Sequence, residues 1–222
     1  MSIKPSTVAA LEDLGRPAGH ETVGTVIVDI GTTSTDLIVA EASSSFGSDT
    51  PKMPADAVAR ALEVPTVERV AAVSELSGIV VTPYDEAVDV YETVPIPVLA
   101  ADFQLPSVLD VSLVTGRWLN ELDQSDLTRG AVVGQGLASE FDVLVGESRS
   151  INLGDRSYAV VGILERVELD PALDNAVFIT FASAEEDFDD EDQEPNKLYV
   201  RAMPGTERET ADVLPIAITL GG

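Results

Sequence analysis

The segment from Leu113 to Val167 decides the fold, because it contains the clearest local patterns in the chain. It includes VTGRWL at 114–119, RGAVVGQGLASEF at 129–141 and INLGDRSYAVVGILERV at 151–167. The first stretch predicts a Gly-Arg turn after an apolar run. The second predicts a strand from Ala131 to Val133 that leads into a short helix from Gly136 to Phe141. No obvious catalytic set lies in these stretches, so the segment is interpreted as scaffold.

A β-hairpin is predicted in the last of these stretches. The strands Ile151–Leu153 and Ser157–Leu164 flank the tripeptide Gly154-Asp155-Arg156. This loop is short, and its glycine can take the positive φ that tight hairpin turns require.

The composition predicts a folded and soluble chain. Its 222 residues are enough for one substantial domain or two small ones, and 45% of them are hydrophobic. No run approaches the roughly 18 apolar residues of a membrane span. The first 20 residues lack the apolar core of a signal peptide.

The charge balance excludes one class of partner. Thirteen basic residues against 39 acidic ones give a formal net charge of −26. Nucleic-acid binding needs clustered Lys and Arg, whereas this surface repels phosphate. The excess of carboxylates is interpreted as a salt-adapted or extracellular surface. Cation binding is the weaker alternative, because the acids are spread along the chain rather than spaced as in a calcium loop.

Two residue types limit the possible chemistry. The chain has no cysteine, which excludes disulfides and thiolate chemistry. Its single histidine, His20, lies in a polar N-terminal segment and is interpreted as an exposed side chain rather than as a zinc ligand or a catalytic base. We therefore predict no catalytic, cofactor-binding or metal-binding residues.

The two ends of the sequence show the same order of elements. Near the N-terminus the patterns predict strands at 23–30, 36–41 and 66–73, with a helix at 54–63 between the last two. Near the C-terminus they predict a strand at 197–202, a turn and helix at 204–214 and a strand at 215–220. Two βαβ units separated by a long segment are typical of a ferredoxin-like split βαβ layer. A chance recurrence of common elements is the alternative.

The predicted organisation is an α+β fold in which a β-rich subdomain is inserted into a discontinuous ferredoxin-like (split βαβ) subdomain. The predicted boundaries are a flexible tail at 1–22, a mixed α/β subdomain at 23–78 plus 196–222, an inserted β-rich subdomain at 79–184 and an acidic loop at 185–195. We call the second and third of these the end part and the inserted part. The acidic stretch at 183–196 is interpreted as a solvated loop, with a calcium site as the alternative.

One short motif is similar to a phosphate-binding loop. VIVDIGTTSTDLIVAE at 26–41 resembles the first phosphate loop of sugar kinases and other actin-like ATPases. In that family Asp29 would hold a metal or its water, and Gly31 to Ser34 would surround the phosphates. The chain lacks the second phosphate loop and the adenosine motif of that family, so an ordinary hairpin is the preferred interpretation of these residues.

A second resemblance spans nearly the whole chain. Seven stretches carry it, in this order: STDLIVAE, PADAVARALEVPTVERVAAVS, LPSVLDVSLVTGRWL, RGAVVGQGLASEF, INLGDRSYAVVGIL, NAVFITF and NKLYVRAMPG. Their succession resembles the periplasmic core domain of MacB-like ABC transporter permeases, in the FtsX-like superfamily. The matching motifs are a strand at Thr66–Val73, a turn with Gly116, Arg117 and Leu119, a strand-to-helix step at Val132–Ala138 and a strand at Gly154–Gly162. Two departures are the longer turn at Thr32–Ser34 and the absence of the flanking transmembrane helices.

The resemblance implies a function. It implies a non-catalytic extracytoplasmic domain at the cell membrane, which couples movement of membrane helices to an external substrate or partner. The implied partners are a cytoplasmic ATPase subunit and an extracytoplasmic protein or a second permease copy. The alternative to both resemblances is a secreted ligand-binding module, which would need aromatic platforms among the residues Tyr84, Tyr91, Trp118, Tyr158 and Tyr199. Trp118 is interpreted as a packing residue.

Overall fold

The computed structural model describes residues 25–30, 36–43, 52–83, 96–124, 129–142, 150–188 and 194–219. Its strands are β1 (Thr25–Ile30), β2 (Leu37–Ser43), β3 (Val67–Leu76), β4 (Val81–Pro83), β5 (Val98–Ala101), β6 (Leu113–Gly116), β7 (Gly130–Gly134), β8 (Ser150–Leu153), β9 (Arg156–Leu164), β10 (Val177–Ile179) and β11 (Lys197–Ala202). Its α-helices are α1 (Ala57–Leu62), α2 (Leu105–Leu109), α3 (Gln135–Glu140), α4 (Phe181–Phe188) and α5 (Glu207–Thr219), and 3-10 helices span Glu121–Gln124 and Pro171–Asn175.

All of these strands belong to one mixed sheet. Its order is β1-β2-β11-β3-β5-β10-β7-β9-β8-β4, and β6 pairs with β9 beside this path. Most neighbours are antiparallel, but β5 and β10 run parallel, as do β7 and β9. The prediction of a mixed fold of helices and sheet is confirmed.

The two ends of the sequence meet in this sheet. Strand β11 lies between β2 and β3 and is antiparallel to both, so that Tyr199 is opposite Val39 on one side and Ala71 on the other. β1 pairs with β2 along its whole length. The strands that were predicted at opposite ends of the chain therefore form one layer.

The sheet continues from the end part into the inserted part through β3 and β5. These strands pair from Val73 opposite Ala101 to Leu76 opposite Val98. One hydrophobic cluster contains Tyr199 of the end part together with Phe178 and Leu164 of the inserted part. The two parts thus share backbone hydrogen bonds and a core, and their division by sequence stays a prediction.

The predicted hairpin and strand-to-helix step are confirmed. β8 and β9 pair antiparallel from Ser150 opposite Ala159 to Leu153 opposite Arg156, and Gly154 takes a φ of 61° in the turn. β7 is buried throughout and leads directly into α3. These elements were recognisable because a local pattern determines each of them.

The predicted strand at 215–220 is wrong, because α5 continues through Pro215 to Thr219. Thr210, Leu214 and Ile218 are buried and lie four residues apart, which is a helical spacing. A proline inside a helix costs about 3 kcal/mol. Burial of two large side chains at about 1.5–3 kcal/mol each offsets that cost, and Arg60 Nη1 donates to the Ile218 carbonyl at 2.8 Å. The second predicted βαβ unit therefore ends on a helix.

The acidic stretch is not a loop over its first residues. α4 spans Phe181–Phe188, and its helical spacing places Phe181, Ala184 and Phe188 against the core of the inserted part. Thr180 Oγ1 accepts a hydrogen bond from Ser183 N at 3.1 Å, which caps the start of the helix. The predictions for the tail at 1–22 and for residues 189–193 lie outside the described residues.

The helical assignment of residues 215–219 can be tested by making the same substitution at two positions. Ile218→Ala should lower the free energy of unfolding by roughly 2–5 kcal/mol, since Ile218 is 0% exposed. Ile216→Ala should change it by less than about 1 kcal/mol, because Ile216 is 51% exposed. Urea unfolding followed by circular dichroism measures both. Similar losses in the two variants would contradict the helix, because in a strand these residues share a face.

Candidate functional site at the junction of the two parts

The junction of the two parts is the candidate functional site. Here α2 and the 3-10 helix Pro171–Asn175 of the inserted part lie on the face of the sheet formed by β3, β11 and β5. Polar side chains from the end part reach across this face. Smaller ion-paired clusters hold the inserted part together.

Two arginines of the end part bind the C-terminal end of α2. Arg201 in β11 donates from Nε and Nη2 to the Val108 carbonyl, at 2.8 and 2.6 Å. Arg69 in β3 donates from Nη1 to the carbonyl and to the hydroxyl of Ser107, at 2.7 and 2.9 Å. The last carbonyls of a helix have no partner within the helix and carry partial negative charge, so guanidinium groups stabilise them. The arginines thereby fix α2 to β3 and β11.

A buried tyrosine makes the next contact across the junction. The Tyr199 hydroxyl donates to Asp170 Oδ2 at 2.6 Å, and Asp170 Oδ1 accepts from Ala172 N at 3.2 Å. Asp170 thus caps the 3-10 helix and binds β11 at the same time. Burial, with the charge of Asp170 and its hydrogen bond, raises the pKa of Tyr199 far above its usual range.

A small pocket opens beside this hydrogen bond. Its volume is about 170 Å³, and both parts contribute to its lining. Val73, Pro97, Leu99 and Leu173 form an apolar floor. At the rim, Lys197 Nζ pairs with Glu41 at 2.7 Å and lies 3.8 Å from Asp170. The pocket therefore combines apolar and charged groups at the junction.

The predicted Gly-Arg turn is held by a bidentate ion pair. Arg117 Nη1 and Nη2 donate to the two carboxylate oxygens of Asp123, at 2.6 and 2.8 Å, and Asn120 N also donates to this carboxylate. The hydrogen bond to Asp123 raises the pKa of Arg117, which burial alone would lower. A Cβ on Gly162 would lie 2.2 Å from the Arg117 carbonyl, so only glycine fits opposite the turn.

A second cluster attaches α4 to the sheet. Arg129 donates from Nε and Nη2 to Asp187 at 2.6 and 2.8 Å, and the Tyr158 hydroxyl donates to the same carboxylate at 2.5 Å. Burial alone would raise the pKa of Asp187, but the hydrogen bonds from Arg129 and Tyr158 outweigh it and lower the pKa. Burial, followed by the bond to Asp187, raises the pKa of Tyr158 far above its usual range.

The structure describes only some of the residues that the sequence analysis considered for a functional role. His20 and Gly31–Ser34 lie outside the described residues, and of Asp29 only the backbone in β1 is described. Trp118 packs against Phe178 with ring centroids 5.4 Å apart and donates from Nε1 to the Asp102 carbonyl at 3.3 Å, so it is a packing residue as predicted.

Neither Tyr158 nor Tyr199, which lie in the described part of the chain, provides the aromatic platform that a ligand-binding module would need. Tyr158 and Tyr199 are fully buried, and their hydroxyls are bound to carboxylates. Tyr84 and Tyr91 lie outside the described residues.

Sequence reasoning missed the junction residues. Their signal was weak but visible: Arg69 and Arg201 interrupt strands that are otherwise largely apolar. A charged side chain in such a strand requires a partner. The identity of that partner was not accessible, because Arg201 and Val108 are 93 residues apart in the sequence.

Two features are absent from the described part of the chain. Its residues contain no cluster of three or more His, Cys, Asp or Glu side chains suited to a metal ion. None of its helices has the length and hydropathy needed to span a membrane.

The fold is that of a mixed α/β domain whose strands β2, β3 and β11 come from both ends of the chain. Solved structures similar to it include two extracytoplasmic domains of transporters. One is the periplasmic region of MacB from Actinobacillus actinomycetemcomitans, with a TM-score of 0.58 and 12% identity over 83% of this chain and 84% of that one. The other is the extracellular domain of the noncanonic ABC-type transporter YknZ from Gram-positive bacteria, with a TM-score of 0.54 and 13% identity over 72% of this chain and 78% of that one.

The family follows from the sequence. The model of the MacB-like periplasmic core domain matches residues 19–212, so the chain belongs to this family. It is an extracytoplasmic domain of an ABC-type transporter permease, as the resemblance implied. The comparison with curated proteins finds no match.

The Tyr199–Asp170 bond predicts a dependence on alkaline pH. A tyrosine in the unfolded chain ionises with a pKa of about 10, whereas Tyr199 in the fold stays protonated well above that value. The stability that Tyr199 contributes is therefore complete below about pH 10 and is lost above it, by about 1.4 kcal/mol per pH unit.

Tyr199→Phe removes this contribution. At pH 8 the variant should be about 1–3 kcal/mol less stable than the native chain. The difference should shrink as the pH rises above about 10, since only the native chain loses stability through this group. Urea unfolding at several pH values measures it. Curves that stay parallel up to pH 11.5 would contradict the prediction.

Proposed function

We propose that this domain is non-catalytic and transmits movement between the membrane helices of its permease and an external substrate or partner. The observation that carries the proposal is the continuous sheet across the junction, where β3 of the end part pairs with β5 of the inserted part. A sheet whose strands share hydrogen bonds and one core resists shear, so displacement at one end reaches the other.

The polar contacts of the junction support movement as one body. Arg69, Arg201 and Tyr199 each bind a group of the inserted part, and all three lie on neighbouring strands of the end part. Opening a hinge here would break these bonds and expose a shared core. The cytoplasmic ATPase is the proposed source of the movement, because ABC-type permeases work with such a subunit.

The first experiment closes the junction with a disulfide. Asp102 N donates to the Ala72 carbonyl, so alternation along β3 and β5 makes Glu75 and Leu99 a non-hydrogen-bonded pair, whose Cα atoms lie about 4.5 Å apart. This separation is compatible with a disulfide. These 222 residues contain no cysteine, so Glu75→Cys with Leu99→Cys forms a single defined bond within the domain; cysteines elsewhere in the permease and its ATPase are replaced first.

The readout is the position of the domain above the membrane. In the complete permease with its ATPase in lipid vesicles, the disulfide is formed first and a fluorophore is then attached through Asp155→Cys in the hairpin turn. Energy transfer to a dye on the lipid headgroups should change when ATP binds. The change should occur both when the disulfide is formed and when it is reduced. No change in either state would contradict transmission. A change that the disulfide abolishes would show a hinge at the junction.

The second experiment tests the kinase-like alternative. Titration of the 222-residue chain with Mg·ATP in a calorimeter should give only the heat of dilution, because the chain lacks the second phosphate loop and the adenosine motif of actin-like ATPases. Asp29→Ala is the matched control and should give the same trace. Micromolar affinity that Asp29→Ala removes would contradict a non-catalytic transport domain.

A further inference from the structure

The pocket at the junction has the composition of a small binding site. Its volume of about 170 Å³ is divided between an apolar floor and a polar rim. A cavity of about 150 Å³ is large enough to hold benzene. An occupant can therefore carry an apolar body of roughly six heavy atoms, and its polar end would face the rim.

The rim has an excess of negative charge. Glu75 and Asp170 supply two carboxylates to the lining, and Lys197 supplies its single ammonium group, which lies 3.8 Å from Asp170 and also pairs with Glu41 outside the lining. The Glu75 carboxylate forms no ion pair or hydrogen bond with the described residues. The negative charge of Glu75 thus remains uncompensated beside the apolar floor, and it favours a cationic occupant.

The position of Lys197 shows which kind of cation fits. Its Nζ lies 5.9 Å from the centroid of the Tyr199 ring and contacts Glu41 at 2.7 Å. An ammonium group is thus already accepted between a carboxylate and an aromatic ring at this rim. A second one can approach Glu75, which is exposed, and Asn196, whose Oδ1 accepts from Glu75 N at 3.3 Å, adds a polar side chain to the lining.

We propose that this pocket binds a primary ammonium ion on a small apolar body, presented either as a free amine or as a lysine side chain of a protein partner. The occupant would contact Leu99 and Pro97 of the inserted part and Val73 and Glu75 of the end part. The inference uses only the lining of the pocket and does not depend on the transmission of movement.

Three probes of equal size separate charge from shape. Benzylamine, benzyl alcohol and benzoate are titrated into the ¹⁵N-labelled 222-residue chain, and amide shifts of the lining residues are followed. Benzylamine should bind at least about fivefold more tightly than benzyl alcohol, because only it gains the attraction of the rim carboxylates. Benzoate should not bind. Equal affinities for the amine and the alcohol would overturn the proposal.

A charge-matched pair of variants excludes general attraction to the acidic surface. Glu75→Gln should weaken benzylamine binding by about two- to fivefold. Glu63→Gln changes the net charge equally, but it follows α1, which packs on the opposite face of the sheet, and should leave the affinity unchanged. Equal losses in both variants, or no loss in Glu75→Gln, would overturn the proposal.

The source of the ammonium is decided with a lysine probe. N-acetyl-lysine N-methylamide is compared with its norleucine counterpart on the native chain and on Glu75→Gln. Lysine-specific shifts that Glu75→Gln weakens would identify a partner's side chain as an occupant. Binding of benzylamine alone would identify a free amine. Binding of neither would overturn the proposal.

Discussion

The pairing of β3 with β5 is the contact on which the architecture depends. It joins a strand of the end part to a strand of the inserted part, and it brings the face carrying Val73 and Tyr199 next to the face carrying Leu99 and Phe178. Without it the two parts would each expose an apolar surface and a strand edge. The same contact sets the distance between α2 and the arginines of β3 and β11, so the polar junction is possible only after the sheet is continuous.

Several arginines in the described part of this acidic chain serve as internal connections. Arg117 and Arg129 bind buried carboxylates with two hydrogen bonds each, and Arg201 binds a helix end. The planar guanidinium suits these tasks, since it presents several donors in a fixed arrangement. With 13 basic residues against 39 acidic ones, pairing of this kind leaves most carboxylates without a basic partner, and the net charge is −26. A salt-adapted surface remains a prediction.

Local patterns were sufficient for much of the fold. The β8–β9 hairpin followed from one glycine, and the step from β7 to α3 followed from an apolar run before a helical spacing. α5 and α4 were misjudged for opposite reasons. In α5 the proline was given more weight than the helical stripe of buried residues, and in α4 the carboxylates concealed that Asp187 is buried against Arg129. The junction was beyond reach, because its partners are distant in sequence and their contact depends on the completed sheet.

The bond from Arg60 to the last turn of α5 has a mechanical consequence. A pull on the backbone beyond Thr219 would load the carbonyl of Ile218, and Arg60 would pass part of this load to α1. Arg60 is also paired with Asp56 at 2.8 Å, so the strain would spread over both helices instead of unwinding one. Such tension would act on the face of the sheet that α1 and α5 cover. The buried side chains of both helices would resist it together.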